Sequence, residues 1–430
     1  GSLSGTPPMN ASGPNEFTVR VSDLAETSVD TTLSITVTTA TLYLDANGTD
    51  PGSGATGTIA WDASSVWSLD ALGESETLPW IEGAAAVLSA GADAADCSIT
   101  VTGSRFISGL GLEEGNVTIN GDELTLTGSS NAFMVENSLT IGNTISGTSN
   151  GLTKSGPGTL VLSGQNNYTG DTQVLQGILE LSPTGRLYHN GPVTDAAITV
   201  HSGATWRLPD FSSPGTGGLA EVRERRMLDG GTFEITGNSH SSDRNFTVTS
   251  NGGILRYTAA GQTLTLAGNA SDDIRIDGLW TIDATGGITI TETLEGSGSI
   301  TKTGTGLLEL ASSVSIPGPV LVEQGGLRLN GTLSNSDIEV DSTATLSGEA
   351  VISQSLDVSG TLSPGNPIGR IDCGALTLQT GAAIIWQIAD WTGTPGTGYD
   401  QVAATSLDLS EAAALDLKLE SQSLQNFTDT

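Results

Sequence analysis

A stretch of 31 residues recurs in this chain without a gap, and that recurrence limits the fold more than any other feature. Gly151–Leu181 reads G-L-T-K-S-G-P-G-T-L-V-L-S-G-Q-N-N-Y-T-G-D-T-Q-V-L-Q-G-I-L-E-L. A shift of 148 residues carries it onto Ser299–Leu329, S-I-T-K-T-G-T-G-L-L-E-L-A-S-S-V-S-I-P-G-P-V-L-V-E-Q-G-G-L-R-L. Lys154/Lys302, Gly156/Gly304, Gly158/Gly306, Gly170/Gly318, Val174/Val322, Gln176/Gln324 and Gly177/Gly325 coincide, as do the leucines of the alternating runs. Each run, T-L-V-L, T-Q-V-L or I-L-E-L, places apolar residues at every second position, so one face of a strand enters a core. Gly and Asn between the runs supply the positive φ of tight corners. Strand and corner units repeated along a chain predict a β-solenoid. Gly156, Gly158 and Gly170 are expected to sit at corners equivalent to those of Gly304, Gly306 and Gly318.

The first copy resembles the autotransporter-associated β-strand repeat of secreted bacterial surface proteins, through G-L-T-K-x-G-x-G-T-L-x-L-S-G-x-N-x-Y-T-G-x-T. The second copy departs from it, with Ile316 in place of the tyrosine and Ser-Ser-Val at the S-G-x-N corner. The resemblance implies a right-handed parallel β-helix on the cell surface: all-β, extracellular and without an implied activity.

Composition agrees with a turn-rich β chain: 57 glycines, 4% aromatic residues and 15% charged residues in 430. The net charge of −33 disfavours nucleic acid and anionic lipid as partners, and keeps a long β protein soluble. No apolar run reaches the roughly 18 residues of a membrane-spanning helix. Cys97 and Cys373 lie far apart and are expected to be free, buried thiols. The opening G-S-L-S-G-T-P, without methionine, reads as part of something larger.

Four regions are expected. In residues 1–38, alternating runs at Phe17–Val21 and Thr31–Val37 resemble the last strands of a bacterial immunoglobulin-like domain, half a sandwich whose apolar face needs cover from upstream strands or a neighbouring molecule. Residues 39–96, with Trp61, Trp67 and Trp80, read as the solenoid's N-terminal cap, the tryptophans largely buried over its first turn. The solenoid spans 97–390, with an excursion around 209–231. Residues 391–430 form a C-terminal cap or linker.

Candidate chemistry is sparse. G-T-S-N-G at 147–151 matches a nucleophile motif, but a strand follows where a helix is needed, and His189, His201 and His240 stand in no relation to it. G-S-G-A-T-G at 52–57 matches a phosphate-loop pattern with no helix behind it. Asp45, Asp50, Asp272 and Asp273 could contribute to a structural calcium site, which requires more oxygens than they supply; no cofactor is otherwise expected. Arg223, Arg225 and Arg226 form the only basic cluster and are placed in the excursion. Trp206, Trp280, Trp386 and Trp391 are scattered, mostly in core-facing strands. The expectation is a non-catalytic stalk, display scaffold or adhesin, whose partners are other surface proteins or glycans, or further copies end to end. The alternatives are a carbohydrate-binding or carbohydrate-active β-helix and a filament subunit.

Overall fold

The computed structural model describes residues 13–22, 28–37, 39–187, 197–210, 226–242, 245–267 and 273–425. The chain divides into two compact units, residues 1–171 with 184–190, and residues 172–183 with 191–430. The described residues contain strands, turns and bends and no helix.

In the first unit, three short strands per coil stack in parallel on the coil below. One wall runs from Thr41–Leu44 through Ala85–Val87, Gly109–Leu112 and Ser130–Val135 to Gly151–Ser155. A second runs from Gly57–Ala60 through Cys97–Val101, Asn116–Gly121 and Ser138–Ile141 to Thr159–Leu162. The third holds Arg105–Ile107, Leu124–Leu126 and Ile145–Ser146, with Gln165–Asn166 paired to Arg186–Leu187. Hydrogen bonds between neighbouring coils join residues 20 to 23 apart. This is a parallel β-solenoid, in which each wall's backbone groups are satisfied by the coils above and below.

The second unit repeats the plan. Its first wall runs from Thr172–Val174 to Arg370–Leu378. Its second begins at Gly177–Leu181 and ends on the same long strand. Its third is a nine-stranded sheet from His240–Ser242 to Asp416–Gln425. Alternation along each strand sends every second side chain inward, where like residues stack in columns. Leu264, Ile288, Leu308, Leu327, Leu346 and Leu362 are in register and buried. Each fully buried leucine contributes about 1.5–3 kcal/mol of transfer free energy. Trp206, Phe233, Phe246 and Trp280 form an aromatic column, with ring centroids 5.3–5.6 Å apart. In the last coil the third-wall column reaches Leu417, which is 60% exposed, and Leu407 and Leu419 are similarly exposed.

The outward face of the second wall carries a row of alternating sign. Glu180, Arg207, Glu234, Arg256 and Asp283 are in register on successive coils. Arg207 bonds Glu180 at 3.1 Å and Glu234 at 2.7 Å, and Arg256 bonds Asp283 at 2.9 Å. In-register stacking would otherwise set like charges one strand spacing apart, so the alternation removes a repulsion as well as adding attraction.

At the N-terminus, Gly13–Ser22 and Ser28–Val37 pair antiparallel, close to the expected strands. Among the described residues they pair only with each other, so an immunoglobulin-like sandwich is not found. Trp61 and Trp67 are fully buried and Trp80 half-buried, with the three rings 4.8–4.9 Å apart. Trp67 Nε1 donates to the Trp61 carbonyl at 2.8 Å. The tryptophans therefore form a packed cluster rather than a solvent-facing row spaced for sugar rings.

Candidate functional site

The recurring unit builds its corner around a buried lysine. In the strands Gly151–Ser155 and Ser299–Thr303 the inward alternation takes in Lys154 and Lys302, both fully buried. Each side chain bends back to the corner just beyond its own strand. Lys154 Nζ donates to the carbonyls of Ser155 at 2.8 Å and Gly156 at 2.7 Å. Lys302 Nζ donates to Thr303 at 2.6 Å, Gly304 at 2.7 Å and Gln324 at 3.2 Å. The ammonium thus binds carbonyls that turn inward at the corner. Burial drives the pKa of both lysines down to about 8, and Glu136 and Asp283 respectively pull the other way.

Gly156 and Gly304 follow at φ +76° and +74°, in the left-handed region. The next glycines meet the coil below. A Cβ on Gly158 would lie 2.1 Å from the Asn137 carbonyl oxygen, and one on Gly306 2.0 Å from that of Gly286. Gly170 and Gly318 approach Asn150 and Gly298 in the same way. Tyr168 and its counterpart Ile316 are both buried, so the tyrosine of the pattern fills the core and isoleucine replaces it there. Asn166, also buried, accepts from the Ile145 N–H and donates to the Gly164 and Arg186 carbonyls. Its counterpart Val314 is buried and apolar, which is the physical content of the altered corner.

The two copies match in local geometry but not in place around the turn. Thr172–Val174 and Gly177–Leu181 lie on the first and second walls of the second unit. Their counterparts Val320–Val322 and Gly325–Leu329 lie on the second and third. The expectation that the glycines occupy equivalent places in the turn therefore needs correction. The motif encodes a strand, a lysine-bound corner and a close approach, and the two copies place it one wall apart.

The catalytic candidates do not assemble. Ser149 has φ +59° and donates its N–H to Thr169 Oγ1 at 2.7 Å, at a corner between two strands. No histidine is found among the described residues of its unit, and His189 lies outside them. His201 is held between Asp229 and Gln173 at 3.1 and 2.7 Å, with no hydroxyl or thiol nucleophile among these partners. His240 bonds the Asn238 carbonyl. The 52–57 loop folds onto Asp93, whose Oδ1 accepts the Ser53 N–H at 2.6 Å; an acidic partner there opposes a phosphate. Arg226 is a correction: it sits fully buried in the strand Arg226–Asp229 and donates to the Asn245 carbonyl at 2.8 Å, because R-M-L-D alternates inward at Arg226 and Leu228. Arg223 and Arg225 lie outside the described residues.

Asp45 Oδ1 accepts from the Asn47 and Gly48 N–H groups, and burial raises its pKa. Asp50 is exposed, and Asp272 lies outside the described residues, unlike Asp273. Among the described residues no three His, Cys, Asp or Glu side chains form a metal-binding group. Cys97 and Cys373 are buried and free, and burial pushes the Cys373 thiol up to about 11. Trp206 and Trp280 are core residues and Trp386 is half-buried, whereas Trp391 is 57% exposed.

Stacked coils, lysine-bound corners and an apolar interior define a parallel β-solenoid of the repeat type. Residues 152–181 match the passenger-associated-transport-repeat family, so this part of the chain is similar to the repeats of autotransporter passengers. It is 30% identical over 235 residues to the adhesin BmaC autotransporter of Brucella suis, covering 52% of this chain and 6% of that protein. It is 35% identical over 79 residues to an extracellular serine protease of Serratia marcescens, covering 18% of this chain and 8% of that one. The chain thus spans less than a tenth of either relative. No solved structure matches it.

Proposed function

We propose that the chain is a non-catalytic structural segment, a stalk or display scaffold within a large secreted bacterial surface protein. The observation that carries this reading is how the inward residues are used. They form in-register apolar columns, and the buried cations bind backbone carbonyls rather than facing a cleft. Rigidity then comes from coil stacking and needs no disulfide. Partners in this reading are other surface proteins or glycans. Similarity to a protease over 79 residues supports shared repeat architecture, since no nucleophile and base come together among the described residues. The test is to incubate the purified chain with casein and with a panel of bacterial and plant polysaccharides, and to analyse products. No turnover is expected. Turnover abolished by a single substitution in this chain would overturn the reading.

A further inference from the structure

One corner of the second unit changes size along the stack. Asn330 alone separates Gly325–Leu329 from Gly331–Ser334, and Glu349 alone separates Ala344–Gly348 from Ala350–Ile352. On the next coil the corner grows to residues 365–369, and on the last to 391–400. Corner residues Asn330, Glu349 and Asn366 meet the first-wall strands at one edge of the stack. The resulting groove, about 640 Å³, is lined by Asn330, Thr332, Glu349, Val351, Asn366, Arg370 and Asp372, among others.

The groove is braced. Buried Asp400 accepts the Gly369 N–H at 3.0 Å and the Gln387 N–H at 2.8 Å, fastening the ends of both long corners. Gly348 and Gly365 exchange backbone bonds at 3.1 and 2.7 Å. Arg370 Nε lies 2.8 Å from Asp372 Oδ2, and its Nη1 donates to Gln401 at 2.9 Å, which fixes the guanidinium plane. Asn330 Oδ1 accepts the Glu349 N–H at 3.2 Å. Val351 stands on the wall between these polar groups, 48% exposed, in register with Thr332 and Asp372. The 391–400 corner also carries the exposed Trp391, and its Gly396 packs against the Arg370 side chain.

We propose that this groove binds a neutral oligosaccharide. A sugar ring offers paired hydroxyl donors and acceptors around an apolar C–H face. Asp372 and Glu349 offer acceptors, Arg370 and Asn366 offer donors, and Val351 meets the apolar face, while the Asn330 amide is held by Glu309 and the Glu349 N–H. A volume in this range suits a small ligand. Two carboxylates against one guanidinium, on a chain of net charge −33, disfavour uronates, sulfated sugars and phosphates. The site goes beyond the scaffold reading, since display requires no ligand, and a bound glycan recovered uncleaved leaves that reading intact.

The test uses the purified chain and neutral oligosaccharides of glucose, mannose, galactose and N-acetylglucosamine, with saturation-transfer NMR and calorimetry. At least one series is expected to bind. Val351→Arg, which fills the groove, and Arg370→Ala are each expected to weaken it about tenfold or more, a loss of about 1.4 kcal/mol. Leu279→Arg, an exposed position on a different wall, should leave affinity unchanged. Circular dichroism melts establish that the variants fold, and Asn366→Ala provides a milder second variant. The proposal is overturned if no neutral series binds, if binding survives Val351→Arg in a folded protein, or if only anionic glycans or peptides bind.

Discussion

Replacing Gly158 or Gly306 with alanine is expected to destabilise the chain by on the order of 3 kcal/mol, among the largest effects of any single methyl group here. The added Cβ would stand 2.1 or 2.0 Å from a carbonyl oxygen of the coil below. That oxygen belongs to backbone, so the obstacle cannot rotate away, and two coils must separate to admit it. Separation lengthens the ladder hydrogen bonds along that edge, so the damage spreads to nearest neighbours. Gly103→Ala and Gly203→Ala are the matched controls. Both positions have positive φ, +69° and +80°, but nothing lies within 4 Å of the added carbon. They should show only the left-handed penalty of about 1–2 kcal/mol. Chemical denaturation with local hydrogen exchange distinguishes the pairs. Equal losses at Gly158 and Gly103 would mean that close coil approach is not what requires glycine.

The second large effect is a dependence on pH. Lys154 and Lys302 titrate near 8 when folded and near the ordinary 10.5 when unfolded. Between those values the unfolded chain holds more protons, so stability rises with pH. Below about 8 the burial penalty is fully present; above 10.5 it is gone. Each lysine is linked to about 3 kcal/mol as an upper bound, at 1.36 kcal/mol per pH unit. The buried thiols act in the opposite sense from about pH 9, because Cys373 is raised from 9.0 to about 11 and Cys97 is raised too. The clearest window is therefore pH 8 to 9, where the denaturation midpoint should climb. Lys154→Met with Lys302→Met should flatten that climb. Near pH 7 the double variant trades relief of two buried charges against unpaired corner carbonyls worth about 1–3 kcal/mol each, so its net change is smaller than at pH 9. A wild-type midpoint that falls through this window, or a climb that persists in the double variant, would remove the lysines from the account.

The legible part of this chain was its periodicity. Alternation in T-L-V-L and I-L-E-L identified inward faces, because strand burial has a period of two whatever the tertiary context, and the 148-residue recurrence identified a repeated unit of strands and corners. The burial of Trp61 and Trp67 was readable from three bulky aromatics set close together on an acidic chain. Lys154 was visible as a recurring letter, but its inward position follows only from counting alternation from Leu152, and its partners are backbone carbonyls that leave no mark in the side-chain pattern. The wall assignment of each copy depends on how many residues separate every intervening pair of strands, two at 230–231 but 17 between Ala204–Leu208 and Arg226–Asp229. For the same reason the groove around Val351 could not be foreseen: Asn330, Glu349, Asn366 and Arg370 are distant in sequence and meet only because coils stack. Arg226 was misread because adjacent charges in E-V-R-E-R-R suggest a solvated loop, whereas the strand begins at Arg226 itself.

Amide hydrogen exchange, followed by mass spectrometry with overlapping peptides across residues 39–425, tests the solenoid most directly. Stacked coils predict slow exchange in every wall strand that has a coil on both sides. Faster exchange should recur at the corners, and protection should fall in Asp416–Gln425, which is paired on one side only. Both copies of the recurring unit should show the same sequence of slow and fast segments despite their different walls. Uniform fast exchange through 299–329, or protection confined to the segment around Trp61, Trp67 and Trp80, would contradict the account.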